Sequence, residues 1–149
     1  MQEDLKVNVN IYIGLSSKSP RKAERKICYI LGCQIHRREE TRGGDPETVT
    51  ETCHGATIIA ISRALKRITG PCMVTIYAED AWVLNMINKK QMEEWEKTGF
   101  RNKKGAPIQL QKEWMQIWLI SKKHEIQTVA GRHSFSRWME EQMKGEKNV

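Results

Sequence analysis

The chain has 149 residues, of which 39% are hydrophobic and 29% are charged, as in a globular domain with a sizeable core. No apolar run approaches the roughly 20 residues that a membrane-spanning helix needs, so we expect no membrane partner. The start, "MQEDLKVN", is polar and unlike a signal peptide. We therefore expect one domain over 1–149, with a core of about 7–143, in the cytoplasm.

The formal net charge of +7 favours an anionic partner, and nucleic acid is the leading candidate. The alternative is a basic protein whose charge only keeps it soluble. Nucleic acid is favoured because the cations occur in clusters between apolar stretches. Two of these clusters fall in stretches rich in Gly, Ser or Pro: Lys18, Arg21 and Lys22; and Lys97, Arg101, Lys103 and Lys104.

The first third of the chain has the pattern of an antiparallel meander. "KVNVNIYI" alternates apolar and polar residues with the period of a strand. After the loop "GLSSKSPRKAER" comes a second strand, "KICYILGCQIH". "REETRGGDPE" is interpreted as a turn, and "TVTETC" as a short third strand. Connections this short join antiparallel strands.

The remainder alternates helices with two further strands. "HGATIIAISRALKRITG" has helical spacing, and the apolar run "CMVTIYA" is typical of a central strand. Further helices are predicted at "DAWVLNMINKK", with Asp80 as N-cap, "QMEEWEKTGF", "LQKEWMQIWLISKKH" and "SFSRWMEEQMKG"; "EIQTVAG" is the fifth strand. The prediction is an α/β fold: a mixed five-stranded sheet, three antiparallel strands then parallel ones, with helices on both faces.

Two acids, Glu79 and Asp80, follow the predicted central strand. A carboxylate there could hold a metal ion, or it could be a solvent-facing acid beside a helix cap. The four cysteines lack zinc-site spacing, and we expect free, buried thiols. The tryptophans follow helical spacing and are expected mostly in the core.

This order of elements resembles ribonuclease H over about residues 7–143. "SRALKRITGPCMVTIYAEDAWV" is similar to the helix and central strand of that family, and "EEWEKTGFRNKKGAPIQLQKEWMQIWLISKKHEIQ" to its basic handle and following helix. "GRHSFSRWMEEQM" is similar to a shortened histidine loop and last helix. The resemblance implies hydrolysis of the RNA strand of RNA–DNA hybrids by two Mg²⁺ ions, which carboxylates hold.

The carboxylate positions of the family are only partly filled here. Gly14 stands where the first strand should end in an acid, and counting along the helix places His54 at the second acid. Glu79 matches the third, with Asp80 beside it; Glu141 or Glu140 could supply the fourth. His133 matches the family's mobile histidine. These matches make Glu79, His133 and Glu141 the catalytic candidates, and Glu79, Asp80, His54 and Glu141 the metal candidates.

Replacing two ligands by glycine and a neutral imidazole disfavours Mg²⁺ catalysis. We therefore expect a nucleic-acid-binding protein that is impaired or inactive on hybrid. The alternatives are a nuclease with a rebuilt site, using Mg²⁺ or Mn²⁺ or a single transition-metal ion, and a protein–protein interaction domain. The predicted nucleic-acid contacts are Lys18, Arg21, Lys22, Trp95, Lys97, Phe100, Arg101, Lys103 and Lys104.

Overall fold

A computed structural model describes residues 7–35 and 37–145. The strands are β1 (Val7–Leu15), β2 (Ala23–Ile35), β3 (Arg38–Gly43), β4 (Glu47–Glu51), β5 (Cys72–Ala78) and β6 (Glu125–Ala130). The helices are α1 (Cys53–Leu65), α2 (Ala81–Met86), α3 (Lys89–Lys97), α4 (Gln111–Ser121) and α5 (Ser136–Gly145). No helix within these ranges is both long enough and apolar enough to cross a bilayer.

All the strands join one mixed sheet in the order β3-β2-β1-β5-β6, and β4 also pairs with β2. β1 runs antiparallel to β2 and parallel to β5, which is parallel to β6. The parallel strands are reached through helical connections, as such pairings require. The α/β prediction, with antiparallel strands first and parallel strands later, is confirmed.

The sheet differs from the prediction beside β2. The stretch interpreted as a turn contains strand β3, and the predicted third strand is β4, which ends before α1 begins. β3 pairs with residues 30–35 of β2, and β4 with residues 23–27, so two short strands share one side of β2. β3 was missed because its side chains are polar and mostly exposed, which is common in edge strands and leaves no apolar alternation.

Helices cover both faces of the sheet, as predicted. On one face, alternate residues of β1 (Val9, Ile11, Ile13 and Leu15) join the main core with α1 and α4. On the other, Tyr12 packs with Cys28, Ile30, Met139 and Met143, the last two from α5. Opposite faces of β1 therefore contact different helices.

The free-thiol prediction is confirmed for all four cysteines, although only two are buried. Cys28 and Cys72 are buried, whereas Cys33 and Cys53 are partly exposed. Burial raises the pKa of Cys28 to about 11, which leaves that thiol protonated and unreactive at neutral pH.

Candidate functional site

The carboxyl ends of β1 and β5 meet because these strands are parallel neighbours. Glu79 and Asp80 follow β5, and the β1–β2 loop carries Lys18 to the same place. A cavity of about 430 Å³ lies here, bounded by both acids, Lys18, the first turn of α1 and Trp82 of α2. Such crevices at strand carboxyl ends are the usual ligand sites of α/β sheets. We therefore take this end of the sheet as the candidate site.

One lysine and one arginine side chain neutralise the acids at this site. The Nζ of Lys18 lies 3.1 Å from Glu79 Oε1 and 3.2 Å from Glu140 Oε2. The Arg132 guanidinium donates to Glu140 at 2.8 and 3.2 Å and lies 3.7 Å from Glu79. Two carboxylates and two cations thus form one charge-balanced cluster, which we call the Glu79–Glu140 cluster.

The pKa values within this cluster shift as expected for mutual ion pairing. Hydrogen bonds from Arg132 and then Lys18, opposed by slight burial, lower the pKa of Glu140 to about 2. Partial burial opposes protonation of Lys18, but hydrogen bonds to Glu79 and Glu140 outweigh it and raise the Lys18 pKa. Both groups stay charged at neutral pH, so the cluster keeps its ion pairs there.

Gly14 and His54 stand at the other two positions where a carboxylate was expected. Gly14, near the end of β1, contacts α5 so closely that a β-carbon on it would lie 2.7 Å from Met139 Sδ. On α1, one turn after His54, Thr57 also lines the cavity, and this residue is 1% exposed. Its hydroxyl donates to the Cys53 carbonyl at 2.9 Å. Neither position supplies a negative charge.

His54 does not join Glu79. Its Nδ1 lies 2.6 Å from Asp80 Oδ2. Because a carboxylate accepts, that nitrogen carries the proton. The other Asp80 oxygen accepts from the Val83 backbone N–H at 3.1 Å, so Asp80 is the N-cap of α2, as predicted. The Asp80 side chain is 5% exposed. His54 and Asp80 therefore bind each other and the start of α2.

These residues do not fit a two-Mg²⁺ centre. Mg²⁺ needs several oxygen ligands with net negative charge, whereas Glu79 and Glu140 are already paired with cations. Across residues 7–35 and 37–145, no group of three or more His, Cys, Asp or Glu side chains is arranged to hold a metal ion. The combination of His54, Glu79 and Glu141 as ligands for one transition-metal ion is not assembled here either.

Glu140, rather than Glu141, faces Glu79 from α5. The Glu141 carboxylate lies 3.6 Å from Arg137 Nε, four residues earlier on the same helix, and is 64% exposed. Of the two acids that the sequence left open, Glu140 is therefore the one in the Glu79–Glu140 cluster.

Both nitrogens of the His133 ring are engaged. Nε2 lies 2.8 Å from the Ile13 carbonyl of β1, which can only accept, so Nε2 carries the proton. Nδ1 accepts from the Phe135 N–H at 3.2 Å, and the ring lies against Tyr12. Burial lowers the His133 pKa, although the bond to Ile13 opposes this. This neutral ring, which forms hydrogen bonds through both nitrogens, links β1 to the loop before α5 and has no free nitrogen for proton transfer.

The predicted basic contacts are exposed on two segments that border the site. Arg21 and Lys22 lie in the β1–β2 loop, and Lys97 ends α3. The exposed cations Arg101, Lys103 and Lys104 lie in the α3–α4 loop. A second cavity, of about 400 Å³, is lined by Pro20 of the first loop and by Ile108 and Gln109 of the second. Both loops thus contribute to the lining of the second cavity, which shares Pro20, His54 and Trp82 with the first; we call these two adjoining cavities the groove.

Phe100 is not available for stacking on a base. Its side chain is 3% exposed, 6.1 Å from the Trp95 ring between centroids. Trp95 also packs on Trp114, at 5.0 Å, and is only partly exposed. Phe100 therefore belongs to the core beneath the α3–α4 loop, while Trp95 lines the second cavity.

Three residues of the site were not predicted from the sequence. Arg132 lacked any motif, and its role depends on a contact between the β6–α5 loop and the end of β5. Thr57 lies one turn after His54 on α1 and lines the cavity beside Glu79. Trp82 was grouped with core tryptophans but is 48% exposed. The only indication in the sequence that Trp82 belongs to the site was its position two residues after Asp80.

Comparison with known proteins supports one fold family. No protein-family model matches the chain. A ribonuclease H from Moorella thermoacetica is 26% identical over 91 residues, which cover 61% of this chain and 58% of that enzyme. LC9-RNase H1, a type 1 RNase H with the type 2 active-site motif, superimposes with a TM-score of 0.62 at 13% identity, covering 97% and 72% of the two chains.

The chain has a ribonuclease H-like fold. The foamy viral protease-reverse transcriptase also superimposes on it. In complex with dsDNA it gives a TM-score of 0.67 at 20% identity, covering 94% of each chain. In complex with RNA/DNA hybrid it gives 0.57 at 22% identity, covering 95% of this chain and 20% of that one. The match to the Moorella ribonuclease H spans little more than half of that enzyme's length.

Proposed function

We propose that this ribonuclease H-like protein binds RNA–DNA hybrid or another nucleic-acid duplex without hydrolysing it by a two-metal mechanism. The observation that carries the proposal is the Glu79–Glu140 cluster. Lys18 and Arg132 satisfy the two carboxylates that remain at the expected ion site. The named activity of its relatives and the duplexes bound by its structural neighbours support the choice of ligand.

The absence of catalysis is supported by charge. A pair of dications needs a surplus of negative charge around it, and here each remaining carboxylate already contacts a cation. Gly14 and His54 supply no carboxylate at the other two positions. Loss of the metal-binding carboxylates removes the stabilisation of both the attacking and the leaving oxygen, so the expected loss of rate is several orders of magnitude.

Binding is supported by the position of the exposed cations. The β1–β2 loop carries Arg21 and Lys22, the α3–α4 loop carries Arg101, Lys103 and Lys104, and both loops contribute residues to the lining of the second cavity. Lysine and arginine side chains on loops contact phosphates and make affinity depend steeply on salt. The chain's net charge of +7 adds long-range attraction for a polyanion.

The binding proposal is tested by fluorescence anisotropy with a labelled RNA–DNA hybrid. The dissociation constant should rise at least about tenfold when salt rises from about 50 to about 200 mM. Replacing Lys103 and Lys104 by alanine should weaken binding and flatten this salt dependence. The matched control replaces Lys66 and Lys123, exposed lysines that line a cavity at the C-terminal ends of α1 and α4, and should leave both unchanged. An affinity that does not depend on salt would contradict the proposal.

A further inference from the structure

Trp82 is an exposed aromatic residue in the middle of the groove. It lies in the first turn of α2 and is 48% exposed. It lines both the cavity beside Glu79 and the neighbouring cavity beside Trp95. Its place between two cavities suggests a contact surface for a ligand.

The Trp82 ring is held from behind by His54. The two ring centroids are 4.6 Å apart, with their planes at 33°. His54 is in turn fixed by the 2.6 Å contact with the buried Asp80 carboxylate. Asp80 also caps the helix on which Trp82 stands. This chain of contacts limits the freedom of the indole before a ligand arrives, which lowers the entropy cost of stacking on it.

The surroundings of Trp82 combine apolar walls with cations. Pro20, His54 and Trp82 line both cavities, whose volumes are about 430 and 400 Å³. Pro20 is followed directly by Arg21 and Lys22, both exposed. A flat apolar slot beside cations suits a planar ring joined to a phosphate. This is the arrangement by which proteins bind unpaired bases.

We propose that one unpaired nucleobase stacks on Trp82 in the cavities that Pro20, His54 and Trp82 line, with its backbone phosphates beside Arg21 and Lys22. This inference rests on the proposed nucleic-acid binding and adds a preference for strands with an unstacked base. A peptide would gain little from this cation-flanked slot, whereas a nucleotide meets both its apolar and its charged surfaces. Stacking also tolerates any base, because each has a π face.

The test compares two labelled RNA–DNA hybrids by anisotropy, one fully paired and one with a single bulged nucleotide. The protein should bind the bulged hybrid more tightly, by a factor between about 5 and 150, which corresponds to stacking of one base. Trp82→Ala should remove this preference while keeping the affinity for the paired hybrid. Trp82→Phe should keep most of the preference, which separates stacking from a general effect on folding.

Trp138→Ala is the matched control. Trp138 is 52% exposed but lies on α5, beside Tyr29 and Gly43, and its loss should not alter the preference. Equal affinity of the unaltered protein for both hybrids would overturn the stacking inference and leave the duplex-binding proposal standing. A preference that survives in Trp82→Ala would also overturn it. If neither hybrid bound, both proposals would fail.

Discussion

The sulfur of Met139 on α5 lies 2.7 Å from the point where a β-carbon on Gly14 would stand. Met139 is fully buried, and its own β-carbon is 3.0 Å from that point. The packing of α5 against this face of the sheet therefore leaves no space for a side chain at residue 14. The close contact between β1 and α5 thus excludes an acidic side chain at residue 14.

The packing of Met139 predicts that any side chain at residue 14 lowers the free energy of unfolding. Gly14→Ala should lower the free energy of unfolding by about 1–3 kcal/mol, the usual cost of overpacking. In a Met139→Ala background, where the sulfur is gone, the same change should cost less than about 1 kcal/mol. Urea titrations of the four proteins measure this coupling. Equal costs in both backgrounds would show that Met139 is not the obstacle.

The Glu79–Glu140 cluster predicts a gain of metal binding when its cations are removed. The double variant Lys18→Ala/Arg132→Ala should bind Mn²⁺ at least about tenfold more tightly than the unaltered protein, because two positive charges beside the carboxylates are lost. Electron paramagnetic resonance counts the bound Mn²⁺. Adding Glu79→Gln should reverse the gain, and Arg137→Ala, which frees only the exposed Glu141, should not reproduce it. Unchanged Mn²⁺ binding in the double variant would refute this interpretation.

The lowered pKa of Glu140 predicts a stability change in acid. Its folded-state pKa of about 2 lies below its ordinary value of 4.5, so the unfolded chain takes up the proton first. The stabilisation is complete above about pH 4.5 and is lost as the pH falls toward 2. Because Glu140 is 37% exposed, solvent screening limits the effect to about 1 kcal/mol or less. Unfolding free energies of Glu140→Gln should depend less on pH over this range. A parallel dependence would show that Glu140 contributes nothing.

The two hydrogen bonds of His133 predict a neutral ring with its proton on Nε2. Burial lowers its pKa, so its titration midpoint in the folded protein should lie below 6.5, and folding stability should fall as the pH drops through that region. Nitrogen-15 spectra of the ring report both the tautomer and the midpoint. A freely exchanging ring with an ordinary midpoint would instead leave His133 available as the mobile histidine of the family.

The sequence predicted those elements whose apolar residues repeat at a regular spacing. α1 and β5 carry strong apolar patterns and form as expected. β3 has only polar and charged side chains with glycine, and it forms because its backbone pairs with β2. The predicted helix from Asp80 to Lys90 divides in two, since Asn88 caps α3 through its side chain. Local pattern could not show that interruption.

The candidate site was predicted in part, for a physical reason. Glu79 and Asp80 sit at a strand end, which local sequence can indicate. The partners of Glu79 come from the distant β1–β2 loop and from the residues before α5; Lys18 and Glu140 are 122 positions apart. Choosing Glu140 over Glu141 needed the direction of α5, which depends on tertiary packing and not on helical period alone.

The most direct test of the metal-free site is a cleavage assay under conditions in which binding is measured at the same time. Excess protein is incubated at low salt with labelled RNA–DNA hybrid in two reactions, one containing Mg²⁺ and the other Mn²⁺. We predict that the hybrid is bound and that its RNA strand stays intact in both. A product that forms with either ion and disappears in Glu79→Gln would contradict the account.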